Sequence, residues 1–525
     1  MCAAKVTTGE PYRLYGERMA FIDWRYVRPC NFSWVNSNGN VVSVLGEEDE
    51  HSAQIKHFFR PWGIGLKVFV PDYKTGPVFT VERPWEEGGI NILTVIKEEG
   101  IYRAWGSTGW GDLSSRGSTF FCYFESTDGM NWKRPSLHLV EAYGSRDNNI
   151  MDTRGGTVFV DPSAPVQERY KWISESHFSR KEYEEYVLER PGELDPRSNR
   201  KDAGIFVGVR GAVSPDGLRW NVLEKPLVMM HSDTQIVAYY DSLIGRYVGY
   251  FRDFMVGPRF SLPDAVHLDG SGPPPWLFVG RRAVGRAETD DFRRFPLSEV
   301  VLEPDPCGPP SNVLYTNCRT NIPGSPESHL MFPAVWDMAS DSTYIELASS
   351  HEGKVWNRLT QTPLFQTGVF GEWDGGCLFA LPNLIELSNG DFALPYTGYN
   401  VPHKYPRRMA KRNMGYAVWN KGRLAGIEAK EKGEFATVAV VPPGKHAYIN
   451  AVTKRTGNIM VEALDMNYNV MAGRSFEECV SIVGDCFNQP ITWKQHDHLG
   501  IKRDEAVILK FKLDQACLFS IDFRD

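Results

Sequence analysis

The sequence predicts an all-β chain, a five-bladed β-propeller followed by a C-terminal β-sandwich, and three observations carry that expectation. A seven-residue phrase recurs at Ser126-Thr-Asp128-Gly129-Met-Asn-Trp132, Ser214-Pro-Asp216-Gly217-Leu-Arg-Trp220 and Ser350-His-Glu352-Gly353-Lys-Val-Trp356, with a degenerate copy at Thr289-Asp-Asp291-Phe-Arg-Arg-Phe295. An acid and a glycine followed by an indole fit a tight hairpin whose aromatic packs into the next sheet, so each copy marks the edge of one repeated β-unit. The composition agrees: 13% aromatic residues, 48 Gly and 34 Pro favour many short strands and turns over long helices. Near Gly426 the phrase stops and a different alternation begins.

The units follow in order. The first runs from Ile92 to Ile96, through a turn at Glu98-Glu-Gly100 to Tyr102–Trp105, and then to Phe120–Phe124 before its box. The second has Thr157–Val160, Tyr170–Glu175 and Ile205–Val209; the third has Ile236–Tyr240, Tyr247–Asp253 and a strand ending at Arg286. A looser fourth has Asn312–Tyr315, His329–Pro333 and Tyr344–Ala348, and the fifth has Leu378–Leu387, Phe392–Tyr396 and Met414–Trp419. Ser179–Lys201, rich in Lys, Arg and Glu, is expected to be a helical or solvated insertion. The expected domains are therefore 1–427, a propeller with a lead-in segment 1–85, and 428–525, a sandwich built from strands such as Ala436–Val441, His446–Ala451, Ile459–Leu464 and Val507–Leu513. Asp and Trp of the boxes are expected to turn and pack the chain rather than to do chemistry.

A net charge of −7 with scattered Lys and Arg offers no footprint for nucleic acid or an anionic membrane. No apolar run approaches a bilayer span and the N-terminus has no signal-peptide stretch, so the chain as given reads as cytoplasmic, although a leader-trimmed secreted chain would read the same. Nine cysteines without CxxC spacing read as mostly reduced, with Cys479 and Cys486 close enough to pair if oxidised. His496-Gln-His498 lacks a third ligand in sequence, so no metal is expected, and no nucleotide or dinucleotide loop implies a cofactor.

In a propeller the innermost strands line one axial funnel, and the start of each inner strand shares a rim with the end of the antiparallel second strand. This selects Glu86, Glu87, Asp147, Asn149, Asp233, Gln235 and Asp374 with Glu372 on the inner-strand side, and Glu175, His177, Arg252, Asp253 and Asp337 on the other. A rim of carboxylates can supply one carboxylic acid as proton donor and one carboxylate as nucleophile or base. Asp374 is expected as the acid, with Glu86 and Asp233 sharing the roles of nucleophile or base and pKa modulator. Arg252 and Arg319 would hold sugar hydroxyls or a substrate carboxylate. Among the tryptophans, Trp62, Trp85, Trp110 and Trp373 are candidates to stack on a sugar face.

Five blades with these boxes and a terminal sandwich resemble the glycoside hydrolases of families 32 and 43, as a distinct related group. Phe251-Arg252-Asp253-Phe254 is similar to the Arg-Asp-Pro motif of family 32, with Phe where Pro is usual. Glu372-Trp373-Asp374-Gly-Gly is similar to its Trp-Glu-Cys-Pro segment, with Asp in the acid's place; the opening Asn-Asp-Pro-Asn segment is not present. The resemblance implies a hydrolase for an oligosaccharide or glycan, with a furanoside such as a fructoside or arabinofuranoside favoured. Asp374, Asp233 and Glu86 would then be catalytic, and Arg252, Asp253, Glu175, His177, Arg319, Gln235, Asn149 and Trp373 would bind substrate. The expected partner is a carbohydrate substrate, with no nucleic acid and no membrane; a homo-oligomer is a possible assembly. The rival readings are a non-catalytic carbohydrate-binding propeller and a transglycosylase or sugar lyase on the same fold.

Overall fold

The computed structural model describes residues 10–35, 41–42, 54–108, 119–195, 198–200, 205–254, 281–360, 362–406 and 409–525. The chain is nearly all β, with one α-helix among the described residues, Arg180–Glu189, inside the charged insertion. Ser179 caps it: the Ser179 hydroxyl accepts from the Glu182 amide while the Glu182 carboxylate accepts from the Ser179 amide. Among the described residues no helix is long and apolar enough to cross a membrane.

Two compact units form, one of residues 70–321 and 329–420, the other of the described residues up to Phe69, 322–328 and 421–525. The larger unit contains antiparallel meanders in chain order. The first sheet is Ile90–Glu98, Ile101–Thr108, Phe120–Ser126 and Ile150–Met151; the second is Thr157–Val160, Tyr170–Phe178 and Ile205–Ser214, flanked by Asn199–Arg200 and Asn221–Val222. Val237–Asp241, Arg246–Phe254, Arg282–Thr289 and Glu299–Leu302 make the third. The fourth is broken across its middle. Asn312–Thr316, Ala334–Asp337, Ser342–Ile345 and Phe365–Gln366 pair in one sheet, and the same meander makes another from Arg319–Ile322, Ser325–Met331, Ala348–Ser350 and Asn357–Arg358. Pro333, which has no N–H to donate, and Cys318, at φ 43°, sit at the break.

Cys377–Ala380, Phe392–Tyr399 and Arg412–Trp419 make the fifth sheet, and its last strand is Tyr73–Lys74, from the beginning of the unit. The first strands of the first and second sheets touch, as do those of the second and third. Arg282–Thr289 then meets Asn312–Thr316, Ser342–Ile345 meets Cys377–Ala380, and Arg412–Trp419 meets Ile90–Glu98.

The recurring boxes explain how neighbouring sheets lock. In each intact copy the serine hydroxyl accepts from the glycine amide at 2.9 Å, and that glycine is left-handed, with φ 77° at Gly129, 75° at Gly217 and 72° at Gly353. The acid, where it is Asp, caps the next two amides: Asp128 accepts from Met130 and Asn131, and Asp216 from Leu218 and Arg219. The glycine carbonyl then accepts a bond from an aromatic of the preceding sheet. Tyr416 reaches Gly129 at 2.8 Å, Trp105 reaches Gly217 at 2.7 Å and Tyr250 reaches Gly353 at 2.7 Å. In the degenerate third copy Phe292 replaces the glycine, and it packs on Phe159, Tyr247 and Phe295 instead. Trp172 of the second sheet accordingly has no acceptor for its indole N–H among the described residues.

The smaller unit is built on His446–Leu464 and Ile508–Arg524, strands of 19 and 17 residues, with Asp485–Pro490, Ala425–Ala436, Gly65–Val68 and Arg18–Ala20 completing its sheet. The stretches expected as separate strands at 446–451 and 459–464 are one strand, bent at irregularities between Asn450 and Ala451 and between Thr453 and Asn458. The division also differs from 1–427 and 428–525. The residues before Phe69, expected to lead into the propeller, give strands to this unit, and Met19, Phe21 and Tyr26 sit in one core with Ile449, Phe511 and Ile521. Cys479 and Cys486 are free thiols.

Candidate functional site

A cavity of about 270 Å³ opens in the larger unit where inner segments of all five sheets converge. Its polar side comes from the first three sheets, with Asn91, Thr157, Ser174 and Asp233. The fourth and fifth sheets contribute an aromatic side, Tyr315, Phe379, Tyr399 and His403. Asp233 is the one carboxylate among the described residues that line it.

The antiparallel rim does bring its expected residues together. Arg252, at the end of the third sheet's second strand, pairs through Nη1 with Asp233, just before the first strand; the Arg252 side chain is 3% exposed and that of Asp233 42%. The Arg252 amide donates to Ser232 Oγ at 3.0 Å. Glu175, one residue beyond the lining Ser174, accepts at a single atom, Oε2, from the Ser232 amide at 2.6 Å and from His231 Nδ1 at 2.8 Å. Glu175, Asp233 and Arg252 thus form one network through Ser232 and His231, two residues that carry no rim signal of their own in the sequence.

Gln235 lies on the cavity, but both ends of its amide are used. Nε2 donates to the Ala380 carbonyl at 2.8 Å, Oε1 accepts from the Cys318 amide at 2.5 Å, and its carbonyl accepts from Asn317 at 3.1 Å. Its expected role as a substrate ligand gives way to that of a tie between the third, fourth and fifth sheets.

Other expected residues are elsewhere. Glu86 is fully buried, bonded to Arg134 at 2.6 Å and to the amides of Glu82 and Arg83, so it closes the short helix Pro84–Glu86. Asn149, also fully buried, accepts from Trp85 Nε1 at 3.1 Å and donates to the Tyr123 carbonyl. Asp374 is 3% exposed and accepts from Lys74 Nζ at 2.6 Å and from the Tyr396 hydroxyl at 2.9 Å. Burial, with the Asp374 carboxylate beside it, pushes the Tyr396 phenol up. Thr397 and Tyr399 line the cavity and Tyr396 does not, so strand alternation puts Tyr396 and Asp374 on the other face of Phe392–Tyr399. Asp374 there fastens the closing strand Tyr73–Lys74.

Trp373 stacks on Tyr396 at 5.4 Å on that same face. Arg319 is buried between the third and fourth sheets, its guanidinium 3.4 Å from the centre of the Tyr239 ring and bonded to His329 Nδ1. Asp253 accepts from Ser298 at 2.7 Å and from the Phe254 amide, and Asp337 caps the turn at Ala339 and Ser340. His177 is exposed on Tyr170–Phe178. Trp62 is half exposed, Trp85 is buried, and Trp110 lies outside the described residues.

The rim rule that selects Glu175 and Arg252 also selects Tyr399, at the end of the fifth sheet's second strand; applied to charged residues alone, it passes over the aromatic side of the cavity. His496 and His498 do have a third histidine nearby, His446, at 6.2 Å from His498 between ring centres, with the Arg474 guanidinium against His498. Among the described residues no group of His, Cys, Asp and Glu is arranged to hold a metal ion.

No protein-family model matches the chain, and no curated protein does. Solved structures similar to it include a GH32 β-fructofuranosidase from Bombyx mori, at 10% identity and a TM-score of 0.35 over 89% of this chain and 94% of that one. The catalytic domain of a GH62 α-L-arabinofuranosidase from Coprinopsis cinerea is similar at 10% identity and a TM-score of 0.39, over 67% of this chain and 97% of that one. An N-acetylgalactosamine deacetylase from F. plautii, in complex with blood group B trisaccharide, is similar at 13% identity and 0.38, over 68% and 95%.

Proposed function

We propose that this chain is a glycoside hydrolase acting on an oligosaccharide or glycan. In this reading its five successive sheets are the blades of a propeller closed by Tyr73–Lys74, its axial cavity is the substrate site, and its smaller unit is a β-sandwich. The observation that carries the reading is the network in which Asp233 faces the cavity against the buried Arg252 while Glu175 stands beside it through Ser232. Hydrolysis transfers the glycosyl carbon from the leaving oxygen to water, and the leaving oxygen takes up a proton. Asp233, an exposed carboxylate held by a guanidinium, suits the nucleophile or base. Glu175 does not line the cavity while its neighbour Ser174 does, and its Oε2 meets the Ser232 amide and His231 Nδ1, so it positions Ser232 and His231 behind the Asp233–Arg252 pair.

The test is release of sugar from aryl glycosides and oligosaccharides, fructosides and arabinofuranosides included, by the wild type, Asp233→Asn and Glu175→Gln. Turnover reduced by at least about 100-fold in Asp233→Asn, with ligand binding kept, is expected of a nucleophile or general base, and a smaller loss in Glu175→Gln of a residue that positions it. Turnover untouched by either substitution would remove the assignment. A second reading, a sugar-binding propeller without turnover, draws on one observation: Asp233 is alone as a carboxylate among the described lining residues. Saturable binding without release across the panel would select it.

A further inference from the structure

Asp233 stands on a segment that no sheet holds. Residues 231–236 belong to no strand, so no ladder of backbone bonds fixes the place of the carboxylate. Three consecutive residues are pinned from outside instead. Arg252, on the third sheet's second strand, pairs with Asp233 and donates its amide to Ser232 Oγ at 3.0 Å. Glu175, on the second sheet, accepts from the Ser232 amide at 2.6 Å. The third pin comes from the charged insertion: Asp195 accepts through Oδ2 from the His231 amide at 3.0 Å.

The insertion that carries Asp195 is itself fastened to the same stretch of chain. After the helix Arg180–Glu189, the Arg190 guanidinium forks, with Nε on Glu193 Oε2 at 2.8 Å and Nη1 on the Leu227 carbonyl at 2.8 Å. The Tyr186 hydroxyl donates to the Glu193 carbonyl at 2.8 Å, and the Asp195 amide donates to the Met229 carbonyl at 3.0 Å. Ser198 then closes on the Asp195 carbonyl through its hydroxyl at 2.6 Å. Asp195 is 4% exposed, and a carboxylate bonded to an amide makes a stronger bond than a neutral acceptor would. The chain from Leu227 to His231 is thus laid along the insertion just before it delivers Asp233 to the cavity.

We propose that Asp195 is a positioning residue for Asp233: by holding the His231 backbone from the insertion, it sets where the carboxylate two residues on meets Arg252 and the cavity. This role rests on the reading of Asp233 as nucleophile or base and adds to it a task for the insertion. A reacting group displaced by about 1 Å costs about 100-fold in rate, so a loosened tether is read in kcat, while the residues that line the cavity still bind.

Asp195→Ala removes the acceptor, and Asp195→Asn keeps an oxygen that can replace it. In the full chain three quantities report on the tether: deuterium exchange at the amides of residues 231–233, carbodiimide labelling of the Asp233 carboxyl, and kcat and KM on an aryl glycoside. In Asp195→Ala the His231 and Ser232 amides should exchange about tenfold faster and Asp233 should label at least about twofold faster. Its kcat should fall about tenfold or more with KM within about threefold, while Asp195→Asn stays within about threefold of wild type in every readout. Asp161→Asn, in the hairpin between Val160 and Tyr170, is the control for a buried carboxylate that only stabilises, and it should leave exchange at 231–233 and kcat per folded molecule unchanged. Where Asp195→Ala fails to fold, Arg190→Lys, which keeps the charge but gives up the fork between Glu193 and Leu227, should move the same readouts in the same direction. Exchange and labelling unchanged in the tether variant, or Asp195→Asn no closer to wild type than Asp195→Ala, would overturn the proposal. Exchange and labelling that respond in a chain that cleaves no glycoside would remove the hydrolase and leave the tether standing; turnover lost in Asp233→Asn but untouched in Asp195→Ala would do the reverse.

Discussion

Gly217→Ala tests the packing role of the recurring boxes. Gly217 has φ 75°, and a Cβ there would stand 3.0 Å from Trp105 Cζ2 and 3.2 Å from Tyr170 Cδ1. Both rings are buried, so neither yields easily. The left-handed backbone alone disfavours alanine by about 1–2 kcal/mol. Forcing a methyl into a packed contact adds about 1–3 kcal/mol. Displacing the Gly217 carbonyl from the Trp105 indole, now at 2.7 Å, would forfeit about 1 kcal/mol more. Gly100→Ala supplies the control, because Gly100 has φ 79° but nothing within 4 Å of the added methyl. The two variants share the backbone penalty and differ in the packing. Urea unfolding followed by tryptophan fluorescence should put the Gly217→Ala midpoint clearly below that of Gly100→Ala, the comparison being made within one transition because a chain of two units need not unfold in a single step. Equal midpoints would mean that the box glycine is not wedged between sheets.

Four further expectations follow from buried carboxylates and their partners. Lys171 and Asp161 are both almost fully buried and bonded at 2.8 Å, with the Tyr247 hydroxyl also on Asp161. Burial alone would raise Asp161, but Lys171 and Tyr247 outweigh it and hold the carboxyl below the usual range, so its stabilisation is present above the unfolded pKa and is lost as pH falls through the folded one. Lys171→Met should destabilise by about 3–5 kcal/mol and flatten that acid limb in thermal melts taken against pH. Glu327 has the opposite sign. Burial raises its carboxyl and outweighs the Tyr15 and Gly16 amides and the Arg25 guanidinium, which lower it, so stability falls as pH rises through the folded pKa; Glu327→Gln should raise Tm at neutral pH and lose the advantage in acid. Lys74→Met, which strips Asp374 of its ammonium, should lower stability by about 1–3 kcal/mol. Asp374→Asn should lower Tm while leaving sugar release per folded molecule unchanged, and a loss of turnover beyond the loss of folded protein would return Asp374 to the chemistry.

The meanders were legible because the boxes and turns that punctuate them are local: Ser, Asp and Gly within four residues fix each hairpin whatever lies beyond it. What depends on distant pairing was not. Tyr73–Lys74 is two residues long, too short to show a period, and Arg18–Ala20 and Gly65–Val68 take their places from partners more than 350 residues away. The site divides in the same way. Asp233 and Arg252 could be brought together because an antiparallel hairpin joins their strands in register, Val237 opposite Tyr250. Asp374 turned away because its face depends on how the loop before Cys377 crosses Phe392–Tyr399, and Glu86 was claimed by Arg134, a partner that no pattern in the intervening residues announces. The aromatic wall was missed for another reason: in a chain with 22 Tyr and 29 Phe, a ring beside a ligand and a ring in a core read alike.

The fastening of Tyr73–Lys74 onto Arg412–Trp419 has a consequence for the birth of the molecule. The edge strand of the fifth sheet leaves the ribosome early, and its partner Arg412–Trp419 emerges only after the intervening sheets have been made. At about 5–20 residues per second, that interval lasts tens of seconds. Each meander can form locally during that wait, but the fifth sheet stays open along one edge until Trp419 is free. An unpaired edge is a template for strands of other chains. The nascent protein is therefore most exposed to mispairing just before its synthesis passes Trp419, and dilution or a chaperone at that stage should matter more to yield than at any other.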